Sequence, residues 1–441
     1  MELILTFAIA TFMGIIAGMI PGISAFTVLI MLYPLLVVID PINVIMIYVV
    51  VVSISQYFGS VSSTLFCIPG SATAIPTIHE AHTLFRQGDG SKAIMYAAIG
   101  SFIGSIFSLL FSIVTVDFAF MFYPFFSTYV KTFLLVVSLF IFMIVGKNKI
   151  WTNTLMVFGG YGLAEVGYNS WEDNHFLTFG IVDLYSGIPS ITVILGIYVM
   201  PYIIKKVFEK QQHIELVKLS INGYLETIKE LVTYRYTVAR GLTLGYFSSF
   251  IPGLTFYVGT TMAYYLEKFI GKRNKTYKEG DISCLLSAET ANNAGVFSQL
   301  LPLLLLGLPI TASQVFIYDI FSMQGLSLTT DFFQAMFTQL GIAYIISAII
   351  GLFFAGKYVN WVRHITKVNY QYVYIFILLL LFGITIFVGY TFYQPVFYVQ
   401  CLFVMLIFGL CINKFDTLPL VFSFLMHDQI QSNLLTLIYL I

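Results

Sequence analysis

The sequence predicts an all-α, polytopic membrane protein, and this prediction rests on its composition and hydropathy. Only 10% of the 441 residues are charged, against about a quarter in an average soluble protein. Hydrophobic residues make up 59% of the chain, and the mean hydropathy is +0.91. Apolar runs of spanning length recur from Leu3 to Ile441. At about 20 residues per span the chain has room for roughly 10–13 crossings, broken helices included, which excludes a soluble globular enzyme.

The first apolar runs are interrupted twice by proline and glycine. The first run ends at Pro21-Gly22, and a second break at Pro69-Gly70 follows two more apolar runs. Proline removes one helical hydrogen bond and glycine loosens the turn, so each pair predicts a helix break within the membrane. We expect three or four further helices between residues 93 and 204.

Residues 79–92 are too polar to lie in lipid, and we interpret them as a solvated loop. This stretch begins with His79, Glu80 and His82. Its two histidines lie two residues apart and do not fit the HExxH zinc motif, in which they are one helical turn apart. The sequence therefore predicts no tightly bound metal, and we find no motif for a cofactor or for ATP.

A segment of mixed polarity, residues 205–237, divides the chain. Apolar residues lie there among alternating Glu and Lys, a pattern typical of a helix along the membrane surface. Twelve of the 21 basic residues lie between Lys205 and Lys278, which predicts that the loops there are cytoplasmic. The net charge of the whole chain is zero, so no overall field favours nucleic acid.

The break pattern of the first half returns after this linker. Gly14 to Ser24 and Gly245 to Thr255 share the spacing from glycine to Pro-Gly and the hydroxyl residue that follows. Pro69 to Thr73 is matched by Pro309 to Ser313. Helix breaks at matching positions of two halves indicate a secondary transporter whose site lies where the broken helices meet. The predicted pseudo-symmetric repeats, which we expect to be inverted, are residues 1–204 and 238–441.

The helix breaks also predict the class of substrate. Where a helix starts after a break, backbone N–H groups and a dipole equivalent to roughly +0.5 charge favour an anion such as a carboxylate. The first half offers no basic residue near its breaks, because Lys131 is the single Lys or Arg within its apolar runs. The expected substrate-binding residues are Pro21, Gly22, Ser24, Ser60, Pro69, Gly70, Ser71, Thr73, Pro252, Gly253, Thr255, Pro309, Thr311 and Ser313.

Two partial charges do not neutralise a di- or tricarboxylate, so we expect a co-transported cation, Na+ or H+. Hard cations prefer oxygen ligands, and the stretch from Ser287 to Gly295 is unusually polar for its surroundings. An ionised side chain in mid-membrane costs ~3 kcal/mol or more, which makes Glu289 a functional candidate. Glu289 fits equally well as a structural hydrogen-bonding group that fixes the neighbouring asparagines. The residues expected to couple the cation are Ser62, Ser63, Glu289, Asn292 and Asn293.

These motifs resemble the large membrane subunit of the tripartite tricarboxylate transporters. The most specific matches lie in the second half: Pro252-Gly253, Ala288 to Ala294, Leu301-Pro302 and Leu306 to Pro309. The first half adds Pro21-Gly22, Tyr57 to Ser60, Pro69-Gly70, Gly100 to Phe102 and Thr178 to Gly180. Three departures are the Cys67-Ile68 pair in place of an expected asparagine, Ile310 in place of glycine, and Phe176 in place of arginine.

The resemblance implies a multi-pass symporter of the inner membrane that takes up small organic carboxylates by using a cation gradient. It also implies two partners, an extracytoplasmic substrate-binding protein and a smaller membrane subunit.

Other classes of membrane protein fit the sequence less well. An anion channel would use similar broken helices but would normally show rings of charge or a repeated filter. A membrane scaffold subunit is a further alternative. An integral-membrane enzyme would need a nucleophile with a base or a metal cluster, whereas the six His are scattered. We therefore predict a transporter subunit and not an enzyme.

Overall fold

The structure, a computed structural model, is almost entirely helical and confirms the predicted fold class. Within the described residues the one sheet is a short antiparallel hairpin of β1 (Gly167–Asn169) and β2 (Asn174–Phe176). The residues that the structure describes are 2–19, 25–67, 74–122, 128–145, 148–169, 174–208, 224–250, 255–307, 309–326, 330–365, 370–415 and 417–439.

The helices of the first half follow the apolar runs of the sequence. Two π-helical segments, Phe85–Asp89 and Ile194–Val199, each connect one helix of this half to the next. The helices are α1 (Glu2–Met19), α2 (Ala25–Met31), α3 (Tyr33–Val38), α4 (Pro41–Phe66), α5 (Ile75–Leu84), α6 (Gly90–Phe122), α7 (Thr128–Val145), α8 (Ile150–Ala164), α9 (Ser190–Val193) and α10 (Met200–Phe208).

The second half begins with a short helix of 7 residues and ends with four helices of 18 to 36 residues. The helices of this half are α11 (Tyr224–Glu230), α12 (Arg235–Ser248), α13 (Thr255–Arg273), α14 (Ile282–Ala294), α15 (Leu300–Leu306), α16 (Ala312–Met323), α17 (Thr330–Ile365), α18 (Tyr370–Thr391), α19 (Pro395–Ile412) and α20 (Leu418–Tyr439).

Polar caps fix where the two central helices begin. Asp40 accepts the N–H of Ile42 at 2.9 Å and starts α4, and Asp281 accepts the N–H of Ser283 at 2.7 Å and starts α14. A cap of this kind satisfies an N–H group that has no partner within the helix. At its other end α4 stops at Cys67, whose φ of 55° is left-handed.

Several helices of the described chain have the length and apolarity needed to cross a membrane, in agreement with a multi-pass protein. Shorter apolar stretches occupy 190–205 and 374–390, while the total of 10–13 crossings stays a prediction. The five long stretches are Glu2–Met19, Pro41–Leu65, Pro76–Val116, Met336–Phe354 and Pro395–Ile412.

Two helix pairs are brought together by glycine. α1 lies along α4 in the same direction, and a Cβ placed on Gly18 would lie 2.6 Å from the Cβ of Phe58. In the second half α12 lies along α14, also in parallel, and a Cβ placed on Gly245 would lie 2.1 Å from the carbonyl oxygen of Ala291. A side chain at either position would push the backbones apart, so both pairs depend on glycine for their close approach.

Each half contributes a long helix to the other half. α6 lies along α14, and just beyond the end of α14 the N–H of Ser298 donates to the hydroxyl of Ser108 at 3.2 Å. α17 lies along α4, where the hydroxyl of Ser347 donates to that of Ser53 at 2.9 Å. Because of this exchange, the buried core is built from both halves of the chain.

α4 and α14 cross in opposite directions at the centre of this core. Asn292 donates to the side-chain oxygen of Gln56 at 2.7 Å, and Ser60 donates to Glu289 at 2.8 Å. The residue numbers rise along α4 while they fall along α14, which defines the antiparallel crossing. All four side chains are buried.

One prediction from the sequence is wrong. The stretch 79–92, interpreted as a solvated loop, contains the end of α5, the π-helical turn and the start of α6. Glu80 is 0% exposed, because protein groups rather than water satisfy its carboxylate. Of the predicted linker 205–237, residues 209–223 lie outside the described residues, and the boundaries of the two repeats stay predictions.

Candidate functional site

The structure describes part of the predicted substrate site. Ser60, Pro309, Thr311 and Ser313 are described, and so is the backbone of Thr255. The other predicted substrate residues lie outside the described residues: Pro21, Gly22, Ser24, Pro69, Gly70, Ser71, Thr73, Pro252 and Gly253.

Glu289 is the centre of the best-defined polar cluster in the core. It lies on α14 and is 2% exposed. Its carboxylate accepts hydrogen bonds from Ser60 of α4 at 2.8 Å, from Thr77 of α5 at 3.2 Å and from Ser101 of α6 at 3.5 Å. Three helices of the first half therefore converge on one acidic side chain of the second half.

Glu289 has no basic partner among the described residues. The ion pairs found there involve other carboxylates, Glu80, Glu165, Glu230 and Glu267. A carboxylate removed from water is strongly destabilised unless a cation or a proton neutralises it. The three hydroxyls supply hydrogen bonds to the carboxylate but not the missing positive charge.

The two asparagines that follow Glu289 carry unpartnered oxygens. Asn292 donates to Gln56 at 2.7 Å, and Asn293 donates to the main-chain oxygen of Glu289 at 3.4 Å. The side-chain oxygens of both asparagines are buried and accept no hydrogen bond, and the same holds for the hydroxyl of Thr290. Buried polar atoms are nearly always paired, so this group of oxygens suits a ligand such as a hard cation.

Ser62 and Ser63 lie one turn from Ser60 but face other partners. The hydroxyl of Ser62 donates to the carbonyl of Gly18 on α1 at 2.8 Å, and that of Ser63 donates to the carbonyl of Ser60 at 3.0 Å. Neither serine hydrogen-bonds with Glu289. Their role in cation coupling therefore stays a prediction.

At the helix break that follows Pro309, protein groups satisfy the free backbone N–H groups. Thr311 accepts the N–H of Gln314 at 3.2 Å and caps α16. The Gln314 side chain accepts the N–H of Ile310 at 2.9 Å and donates to the carbonyl of Gln299 at 2.8 Å. Tyr48 of α4 lies close to Thr311 and Gln314. The N–H groups of Ile310 and Gln314 are thus engaged in this conformation.

The structure does not bring this break into contact with Glu289. Tyr48 touches the break and Ser60 touches Glu289, and the 12 residues between them correspond to roughly 18 Å along an α-helix. Gln56 and Asn292 lie between these two levels. Among the described residues, the break at Pro309 and the Glu289 cluster therefore lie at two levels along α4, and the predicted substrate residue Ser60 belongs to the Glu289 cluster.

A cavity of about 340 Å³ lies elsewhere between the two halves. Its lining includes Ser190 from α9 and Asp319 from α16, whose side chains are 3.3 Å apart, together with Tyr398 from α19. Within the described part of the chain, none of the predicted substrate or cation residues lines it.

The sequence prediction missed three residues of the Glu289 cluster, Gln56, Thr77 and Ser101. Gln56 and Ser101 are polar residues within long apolar helices, and Thr77 is a hydroxyl residue soon after the Pro69-Gly70 break. That signal is visible in the sequence but does not distinguish a ligand from a hydroxyl that bonds its own helix.

Residues 4–422 match the family described as "Tripartite tricarboxylate transporter TctA family". A relative from Agrobacterium vitis, described as an uncharacterized 52.8 kDa protein in the TAR-I ttuC' 3' region, is 25% identical over 320 residues, which cover 72% of this chain and 63% of the relative.

An uncharacterized protein from Methanocaldococcus jannaschii is 24% identical over 282 residues, which cover 63% of this chain and 64% of the relative. The chain thus spans less than two thirds of the length of these curated relatives. No solved structure matches it.

Proposed function

The chain belongs to the tripartite tricarboxylate transporter TctA family, and from this membership we propose that it carries small organic di- or tricarboxylates across the membrane as a cation-coupled symporter. The proposal of cation coupling rests on Glu289, a buried carboxylate that has three hydroxyl partners and no basic partner among the described residues. Na+ or H+ bound there supplies the positive charge that the carboxylate lacks.

Charge balance links the cation to the substrate. A substrate carboxylate near the Pro-Gly breaks meets helix N-termini, which offer only partial charges. The cation at Glu289, with the oxygens of Asn292 and Asn293 as further ligands, lowers the negative charge of the occupied carrier. Movement of substrate and cation together is therefore favoured over movement of the substrate alone.

The directions of the helices support alternating access between two inverted repeats. α1, α4 and α17 run in one direction, while α6, α12 and α14 run in the opposite one. α1 and α12, which precede the matching Pro-Gly pairs of the sequence, are therefore antiparallel, as inverted repeats would require. Opposite orientation of two related halves is the arrangement on which alternating access commonly rests.

Location and partners belong to the same proposal. The last turns of α13 and the loop that follows it carry five basic residues, Lys268, Lys272, Arg273, Lys275 and Lys278, which favours a cytoplasmic position and an inner-membrane protein. An extracytoplasmic substrate-binding protein and a smaller membrane subunit would then work with this chain.

The test is transport by the purified chain in proteoliposomes, with and without the partner subunits. We expect counterflow of radiolabelled citrate or succinate, because exchange of labelled for unlabelled carboxylate requires a carrier rather than a channel or a scaffold. Accumulation should depend on an imposed Na+ or pH gradient. Accumulation that is the same without both gradients would contradict cation coupling, and absence of exchange for every di- and tricarboxylate tested with partners present would contradict carboxylate transport.

A further inference from the structure

Glu80 joins α5 of the first half to the second half of the chain. One carboxylate oxygen accepts the phenol hydroxyls of Tyr264 and Tyr277, both at 2.9 Å. The other accepts the backbone N–H groups of Gly280 at 2.7 Å and Asp281 at 3.0 Å. Every one of these partners belongs to α13 or to the loop that leads into α14.

The donors around Glu80 are arranged to hold a carboxylate. Gly280 has a φ of 82°, a conformation that glycine adopts readily and that aims two successive N–H groups at one acceptor. Burial raises the pKa of Tyr277, so its phenol stays protonated and donates. Lys268 lies 3.9 Å from the carboxylate and donates to the hydroxyl of Tyr264 at 2.8 Å.

α5 connects this carboxylate to the cluster around Glu289. Thr77 and Glu80 are three residues apart on α5 and therefore share a face of the helix. Thr77 donates to Glu289, while Glu80 holds the residue that caps α14, Asp281. The same short helix thus contacts both the start of α14 and the acidic side chain two turns further along.

The backbone departs from the α-helical conformation on both sides of α5, at Cys67 and at Gly88. α5 follows the left-handed residue Cys67 at the end of α4, and it is followed by the π-helical turn in which Gly88 has a φ of 94°. His82 also hydrogen-bonds with the carbonyl of Thr64 at 3.0 Å, which ties α5 to α4. A separation of α5 from the second half therefore leaves its contact with the first half intact.

We propose that α5 is the gate between the Glu289 cluster and the basic face, and that Glu80 is the positioning residue that holds this gate closed. The basic face is the surface that carries Lys268, Lys272, Arg273, Lys275 and Lys278. The inference rests on the proposed function, since it assigns a route to the same site. When the gate opens, water replaces the protein donors around Glu80, and Thr77 leaves Glu289.

A buried cysteine reports on this gate. Cys284 is 0% exposed and packs with Tyr264 and Ala288, next to Tyr277. In a chain that keeps Cys284 alone, with Cys67→Ser, Cys401→Ser and Cys411→Ser, a membrane-impermeant maleimide should label slowly from the basic face. We expect Glu80→Ala to raise that labelling rate at least tenfold.

Controls separate a gate from general loosening of the fold. Glu279→Ala changes an exposed neighbour in the loop and should leave the rate unchanged. A second chain that keeps only Cys401, which is buried on α19, should stay unlabelled after Glu80→Ala. Tyr277→Phe removes one donor to Glu80 and keeps the aromatic ring, so it should raise the labelling rate of Cys284 about threefold. This variant replaces Glu80→Ala in the test if Glu80→Ala does not insert into the membrane.

The result that overturns the gate is labelling of Cys284 that stays within twofold of the parent chain in both Glu80→Ala and Tyr277→Phe. Equal labelling of Cys401 and Cys284 after Glu80→Ala would overturn it too. Labelling does not require transport, so a gate that opens in a chain without carboxylate exchange would contradict the proposed function alone. Normal exchange with an unresponsive Cys284 would contradict the gate alone.

Discussion

Glu80 and Glu289 are both buried carboxylates, yet their surroundings differ in one respect. Glu80 has four hydrogen-bond donors and a lysine at 3.9 Å, whereas Glu289 has three hydroxyls and no basic partner among the described residues. A complete set of donors stabilises one conformation, while an incomplete set leaves affinity for a ligand. The comparison teaches that burial alone does not identify a carboxylate that binds a ligand. A buried carboxylate whose charge has no partner in the protein does identify one.

Replacement of Glu289 tests the carboxylate that lacks a basic partner, and it should have the largest effect on transport. Glu289→Gln removes the negative charge that holds the cation, so gradient-driven accumulation of citrate or succinate should fall at least 100-fold while the protein still inserts. The matched control is the exposed Glu279→Gln, which should transport normally. Accumulation by Glu289→Gln at the parental rate would remove Glu289 from the coupling site.

The same variant also separates the two cations. If the cation is H+, glutamine mimics the protonated carboxyl and counterflow persists without accumulation. If it is Na+, the site loses its charged ligand and counterflow falls as well.

Replacement of Glu80 tests the carboxylate that has a full set of donors, and it should lower the stability of the fold. Glu80→Ala leaves two buried N–H groups and two phenols without their acceptor, and we expect a loss of about 3 kcal/mol in the free energy of unfolding. The unfolding midpoint in detergent, measured beside that of Glu289→Gln, provides the comparison. Glu289→Gln removes an unpaired buried charge and should keep or raise the midpoint, so an equal loss in the two variants would contradict the distinction drawn between them.

Asn292 sharpens the comparison by testing the unpartnered oxygens. Asn292→Ala should raise the cation concentration that gives half-maximal transport about tenfold, which corresponds to roughly 1.4 kcal/mol of binding free energy. The exposed Asn274→Ala is the control, and it should leave the cation dependence unchanged. An unchanged cation dependence in Asn292→Ala would exclude its oxygen as a ligand.

The hydroxyls around Glu289 should contribute in the order of their distances. Ser60→Ala removes a donor at 2.8 Å and should weaken cation-dependent transport about fivefold, since a hydrogen bond contributes roughly 1 kcal/mol. Ser101→Ala removes one at 3.5 Å and should change transport less than twofold. The reverse order would mean that another conformation, not the one described, binds the cation.

The sequence was informative wherever a local pattern decides the outcome. Low charge and long apolar runs predict a helical membrane protein because lipid leaves few alternatives for the backbone. The cluster at Glu289 was predicted from its polarity within apolar surroundings, and the structure places Asn292, Asn293 and Ser60 beside or near it.

The contacts that the sequence could not provide are those between distant segments. Thr77 and Glu289 are 212 residues apart, and Glu80 and Gly280 are 200 residues apart. The polarity of the stretch around Glu80 predicts a solvated loop, and no sequence pattern relates this stretch to the loop glycine and the two tyrosines that bury it. Likewise, nothing in the sequence indicates that Gln314 satisfies the break at Ile310 with its own side chain.

The exchange of long helices between the halves has a consequence for biosynthesis. Ser108 on α6 finds its partner in Ser298, 190 residues later. At about 5–20 residues per second, that interval takes roughly 10–40 s on the ribosome. During that time the face of α6 that packs against α14 has no cover from the second half, so the nascent first half exposes this face until α14 emerges.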